Sequence, residues 1–315
     1  MVTDDRFEAD HRPGCMQLSA SLMPCLIVPP EHRPRWAPSP YSYGLHLLGD
    51  VPLPEGDLKT LRRGKLMEPV GKVLLREDHG IDLHREQERR EYVDLPAVTY
   101  LDGLVDRGQP LVAGASAEWA IEFKSMPERV YREHWADGPP LWVRIQCQAQ
   151  QMISDGFLAG CLIVPIVIRY AGNPDVPTIY QEPHNEKIGQ MLMETGRLFL
   201  DMLRARELPP PDETVASYDA LMKSLKIEPE ATVVLADDEA AQQFLWWQQA
   251  KHQRNGGEQI KNAAKRWFAA RAGNAAVIEL PGIGRIERKQ VKVSADKEPR
   301  PARTDVRWTL REIAE

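Results

Sequence analysis

The run GCLIVPIVI, residues 160–168, is the longest apolar stretch in the chain. A membrane-crossing helix needs about 20 such residues, so this one is too short to span a bilayer. It reads instead as a strand covering 161–170, and the segments around it alternate in period. Leu61, Leu66, Val70, Val73 and Leu74 are spaced for a helix over 57–78, which Pro69 should kink or restart and Gly80 should end. YVDLPAVTYLDGLV (92–105), EWAIEFKSM (118–126) and TIYQEP (178–183) look like strands. PLWVRIQCQAQQMISDG (140–156) reads as a helix closed by Gly156, and 185–206 as a strongly amphipathic helix. This order predicts a mixed α/β (α+β) fold, with a central mixed β-sheet flanked by helices.

The expected organisation has four parts. Pro-rich residues 1–40 form an irregular N-terminal extension, 41–207 the core, turn-rich 208–240 a linker, and 241–315 a C-terminal module. That module reads as two helices broken at Gly256–Gly257 and a β-hairpin turning at Pro281–Gly282, with a polar end expected to fray. The N-terminus is acidic and polar and lacks the shape of a signal peptide, so the expected location is the cytoplasm, with no membrane partner. The four cysteines, Cys15, Cys25, Cys147 and Cys161, have no C-x-x-C spacing and read as buried free thiols. Net charge is −6, but residues 241–315 carry 15 Lys/Arg against 8 Asp/Glu, a local +7 that leaves −13 upstream. An acidic front and basic tail are compatible with DNA binding when the acid is gathered around metal ions.

Within the apolar segment AEWAIEFKSM, Glu122 and Lys124 fall two positions apart, on one face of a strand. Taken alone, an E-x-K triplet is most often an ion pair at the edge of a sheet. Upstream, however, Asp102 ends another strand-like run, and a hairpin with a long connection would bring both carboxylates to one point. Two carboxylates held close repel unless one is protonated or a cation lies between them. Oxygen ligands of this kind suit Mg²⁺, with Mn²⁺ as substitute; the ion polarises a phosphoryl oxygen and lowers the pKa of a bound water. Lys124 beside it would orient that water or stabilise developing charge. This is a minimal set for hydrolysing a phosphodiester.

The pattern resembles the PD-(D/E)xK nucleases with their restriction-endonuclease-like core. Within them it is similar to the phage-type recombination exonucleases, the YqaJ and lambda-exonuclease group. Four blocks match in order over roughly residues 41–205: RRGKLMEPV with Gly64 and Glu68, LDGLV with Asp102, AIEFKS with Glu122 and Lys124, and WVRIQCQAQQM with Gln146 and Gln148. A weaker block, YSYGLHLL, would place Ser42 near a DNA phosphate. The resemblance implies that Glu68, Asp102, Glu122 and the backbone carbonyl of Phe123 hold one or two Mg²⁺ ions. Lys124 would position or deprotonate the attacking water, and Gln146 would hold the phosphate or the water network. Arg62, Arg63, Lys65 and Gln148 would contact DNA. It further implies digestion of one strand of duplex DNA from a 5′ end, a single-strand annealing protein as partner, and a homo-oligomeric ring, often a trimer.

The chain departs from the group at two points. The gap from Asp102 to Glu122 is long, filled by DRGQPLVAGASA, and leaves Asp106 as a competing ligand. The glutamine helix also carries Gln150 and Gln151, so the active glutamine is ambiguous, with Gln146 preferred. Taken alone, Glu68 is usually a solvated surface residue and Gln146 part of a polar helix face; beside Glu68, Gly64 leaves room for a close backbone approach and Pro69 distorts the helix. Other chemistries lack their signatures: no H-x₃-H zinc pair, no G-x-S-x-G elbow and no G-x-x-x-x-G-K-[ST] loop. Two rival readings stay open: a structure-specific or restriction-type endonuclease of the same superfamily, and an inactive DNA-binding recombination accessory protein. In the tail, Trp246, Trp247, Trp267 and Phe268 would either stack on DNA or form a small core.

Overall fold

The structure is a computed structural model and describes residues 10, 12–53, 58–85, 88–106, 117–155, 157–169, 174–251, 257–293 and 303–312. The chain divides into two compact units, Met1–Pro209 and Pro210–Glu315.

The first unit begins with strand β1 (Leu18–Ser19) and two short 3-10 turns, then helix α1 (Pro40–Leu47) and the long α2 (Leu58–His79). Strands β2 (Glu88–Tyr92), β3 (Ala97–Leu101), β4 (Gly103–Val105) and β5 (Glu118–Pro127) follow. Helices α3 (Glu128–His134) and α4 (Leu141–Ile153) lead to β6 (Leu158–Ile168), β7 (Pro174–Asp175), β8 (Tyr180–Pro183) and α5 (Glu186–Arg204). One sheet has the order β1-β3-β2. The other runs β4-β5-β6-β7, with β8 also paired to β6. Strands β5 and β6 are parallel from Glu118–Leu158 to Pro127–Ile168, so α3 and α4 form the crossover that a parallel pair requires. The apolar run that reads as a strand is β6, and Gly160 to Val167 are all buried. The fold is therefore mixed α/β, as the order of segments predicts.

Helix α2 runs through Pro69 as one element and ends at Gly80, which takes the left-handed φ of +65° that glycine tolerates. It lies on β5 and β6 through Leu75, Phe123, Val164 and Ile166. Helix α4 covers the opposite side of the sheet, where Val143 and Cys147 meet Ala120, Cys161 and Ile163. The Pro-rich N-terminal segment belongs to this unit's core: Leu18, Met23, Cys25 and Val28 pack with Tyr43, Trp142 and Leu200. The three buried cysteines are free thiols, as is the half-buried Cys15.

The second unit holds α6 (Val215–Ser224), β9 (Glu228–Val234), α7 (Asp238–Lys251), α8 (Gly257–Ala272), β10 (Ala275–Leu280), β11 (Gly284–Val293) and β12 (Arg303–Glu312). Its sheet has the order β12-β11-β10-β9. Residues 208–240, read from the sequence as a linker, thus contribute a helix and a strand to it. The polar end expected to fray pairs along β11 from Gly284–Glu312 to Val293–Arg303. Phe244, Trp247 and Phe268 form the core with Ile278 and Ile286, so two of the tail aromatics are core residues, while Trp246 stays 44% exposed. Arg271 lies 4.7 Å over the Trp267 ring and pairs with Asp237 at 2.8 Å. No described helix is long and apolar enough to cross a membrane.

Candidate active site

Asp102 lies where the chain passes from one sheet to the other. β3 ends at Leu101 and β4 starts at Gly103 in the second sheet, leaving Asp102 outside both ladders. Gly103 pairs with Ile121, which sets Asp102 level with Glu122 on β5. Its Oδ2 accepts the backbone N–H of Phe123 at 2.8 Å, so the side chain satisfies a β5 donor.

Glu122 and Lys124 point from β5 toward α4. β6 pairs with β5 along its whole length, whereas β4 pairs with it only from Trp119 to Ile121; beside Glu122 and Lys124 that flank is taken by the Asp102 side chain. Lys124 Nζ lies 2.5 Å from Glu122 Oε1 and donates to Gln146 Oε1 at 3.1 Å. The other carboxylate oxygen, Glu122 Oε2, accepts from Gln150 Nε2 at 2.6 Å. Gln146 and Gln150 are four residues apart, hence neighbours on one face of α4. Behind them, the Cys161 thiol reaches Gln150 Oε1 at 3.7 Å. Glu122 is 5% exposed, and Gln146 and Gln150 are buried too.

A tight group of charges at this depth displaces protons. Burial pushes the Asp102 carboxyl well above the usual carboxylate range, and the negative charges of Glu122 and Glu68 push it further. Burial also raises Glu68; Lys72 opposes this and Glu122 adds to it. For Lys124, burial disfavours the ammonium, but the pull of Glu122 and Asp102 prevails and its pKa is raised. Asp102 and Glu68 thus resist ionisation together, while the lysine is held charged.

Glu68, on α2, acts on this group through its charge. The close approach of α2 to the sheet comes from Gly71, one turn on: a Cβ there would lie 2.5 Å from Ile166 Cδ1 and 2.8 Å from Phe123 Cε1. Gly64, read as the point of close approach, has open space around it.

The remaining expected site residues are placed differently. Ser42 is buried, and its hydroxyl closes a capping box with Ser39 at the start of α1. Ser39 is the N-cap of that box and Ser42 its N3 residue. Gln148 is buried and committed to Glu182, Pro183 and Asn185, so it fastens α4 to β8 and to the start of α5. Lys65 is exposed on α2, and its charge acts on Glu68. Arg62 and Arg63 lie on α2 with side chains outside the described residues, as does most of the insertion after Asp106.

Asp106 belongs to a second cluster. Among the described residues, the trio of ligand atoms lying within 4.8 Å of one another is His84, Asp106 and Glu118. His84 Nε2 sits 2.9 Å from Glu118 Oε1, and its Nδ1 3.6 Å from Asp106 Oδ1. Asp106 is therefore drawn away from Asp102 and Glu122.

Gln150, which the sequence left as one of four candidate glutamines behind the preferred Gln146, is the one that meets the Glu122 carboxylate. The available signal was its spacing from Gln146; what hid it was the presence of four glutamines within six residues.

No family model matches the chain, and neither does any curated protein. Among solved structures, the chain is similar to an alkaline exonuclease (LHK-Exo) from Laribacter hongkongensis, with a TM-score of 0.48 and 15% sequence identity, over 65% of this chain and 94% of that one. It is similar to LHK-Exo in complex with dAMP at a TM-score of 0.47, with the same identity and coverage.

Proposed function

We propose that the chain is a metal-dependent DNA exonuclease, in which Glu68, Asp102, Glu122 and the Phe123 carbonyl hold Mg²⁺, with Mn²⁺ able to replace it. The donors support this choice: all are oxygens, as hard divalent cations prefer. Asp102 and Glu68 are carboxyls whose ionisation is opposed by burial and by the charge of Glu122, with Glu68 adding to the load on Asp102, a conflict that a cation among them relieves. The three carboxylates would draw in around the ion. Once bound, it would polarise a phosphoryl oxygen and acidify a water.

The other work falls to side chains already in position. The ammonium of Lys124, fixed between Glu122 and Gln146, is the group to orient the attacking water and stabilise charge gathering on the phosphate. Gln146 holds Lys124 on line and offers its amide N–H groups to a phosphate. The reading rests above all on this one arrangement: lysine and glutamate 2.5 Å apart on a central strand, with Asp102 level beside them.

Strand polarity, the annealing partner and the ring-shaped oligomer extend the proposal and rest on the motif resemblance alone. In that form the protein would degrade the 5′-ended strand and leave a 3′ tail for an annealing protein.

The test is digestion of linear duplex DNA labelled at either the 5′ or the 3′ end, with Mg²⁺, with Mn²⁺ or with chelator. Stepwise loss of the 5′ label with either ion, abolished in Lys124→Ala while DNA binding persists, is the expected result. Cleavage of closed circles would make the protein an endonuclease. Failure to degrade DNA with both ions would leave only a DNA-binding role.

A further inference from the structure

Gln150 is a buried polar side chain that touches the proposed metal-ligating group without belonging to it. Its amide nitrogen donates to Glu122 Oε2 at 2.6 Å, while its amide oxygen is reached by the Cys161 thiol at 3.7 Å. Both ends of the amide are therefore used and its orientation is fixed. The residue is 1% exposed, so water cannot replace this donor. The backbone beneath it is held as well, since Ser154 Oγ donates to Gln150 O at 2.8 Å.

Glu122 thus has its two oxygens divided between different jobs. Oε1 faces Lys124 at 2.5 Å, and Oε2 faces Gln150. A carboxylate that can rotate presents either oxygen to a cation and loses binding free energy in being ordered. One gripped by a rigid amide is ordered in advance. We infer that Gln150 is a positioning residue: it fixes the rotamer of Glu122 so that the carboxylate meets a divalent cation in one orientation, and thereby sets the affinity of the site for that cation. This deepens the proposed function and rests on it. Gln146 and Gln150 then divide the work on one helical face, the first holding the lysine and the second the carboxylate.

The neighbouring Gln151 provides the control. It is buried to the same degree and donates to Glu182 O at 3.1 Å, and among the described residues it makes no hydrogen bond to a site residue. The experiment is calorimetric titration of Mn²⁺ into the DNA-free protein, with melting temperature measured alongside. Gln150→Met should weaken Mn²⁺ binding about 10–100-fold, the range typical when a partner of a metal ligand is removed. Gln151→Met should lower the melting temperature comparably and leave Mn²⁺ affinity within about twofold of wild type. If Gln150→Met does not fold, Gln150→Asn keeps a buried amide but is too short to reach Glu122, and the same weakening is expected of it.

Mn²⁺ affinity unchanged in the Gln150 variants, with tight binding in the wild type, overturns this inference and leaves the exonuclease reading standing. No Mn²⁺ binding in the wild type, or binding that survives Asp102→Asn and disappears in His84→Ala, overturns the exonuclease reading itself.

Discussion

Gly71 on α2 and Phe123 on β5 meet so closely that a single added carbon would lie 2.8 Å from the phenyl ring. The helix that carries Glu68 comes within reach of the sheet that carries Glu122 because position 71 has no side chain. Gly71→Ala should therefore overpack this contact, costing about 1–3 kcal/mol. It should also push Glu68 away from the site, lowering activity more than stability alone explains. Denaturant unfolding together with single-turnover digestion separates the two effects. Full activity with unchanged stability would mean the helix can shift without consequence.

Asp102→Asn should stabilise the metal-free protein at neutral pH while abolishing digestion. The native carboxyl is held above its unfolded value, near 3.9. A raised group contributes its stability below the unfolded pKa and loses it as pH rises through the folded one. The wild type is thus penalised at neutral pH, by about 1.4 kcal/mol for each tenfold displacement of the proton equilibrium. The asparagine retains an oxygen for the Phe123 N–H and carries no charge. Thermal melts from pH 4 to pH 8 should show the variant gaining on the wild type as pH rises, and Mn²⁺ should raise the melting temperature of the wild type only.

Lys124→Ala removes the only cation in contact with Glu122 among the described residues and leaves the 5%-exposed carboxylate without it. Breaking a fully buried pair costs about 3–5 kcal/mol. The Lys124 side chain is 29% exposed, so roughly 2 kcal/mol is expected. DNA affinity should stay close to wild type while digestion falls below detection. Fluorescence anisotropy on a labelled duplex, read beside the nuclease assay, checks this pairing of outcomes.

Ser42→Ala and Gln148→Leu should behave as stability variants. Removing the Ser42 hydroxyl opens the capping box and should cost about 1 kcal/mol. Replacing Gln148 leaves the 7%-exposed Glu182 short of one donor, a loss of about 1–3 kcal/mol. Neither change should alter DNA affinity at a temperature where the protein remains folded. A tenfold loss of affinity in either would return that residue to the DNA interface.

The order of helices and strands was legible in the sequence because it depends on local periodicity. A run as apolar as residues 160–168, or an alternating segment such as 118–126, has few alternatives once its length is known. Glu122 and Lys124 were legible for the same reason, since a two-residue spacing fixes which face of a strand both share. The end of the chain was misread because Arg303–Glu312 is too polar to suggest burial, and only its pairing with β11 makes it a strand. Tertiary structure alone decided which of four glutamines meets the carboxylate, that Ser42 closes a helix cap, and that Gly71 rather than Gly64 is the close approach. The Gln150–Glu122 and Gly71–Phe123 approaches join residues distant along the chain, and no local pattern in the sequence records such a distance; the Ser39–Ser42 cap is local, but only the start of the helix at Pro40 makes it one.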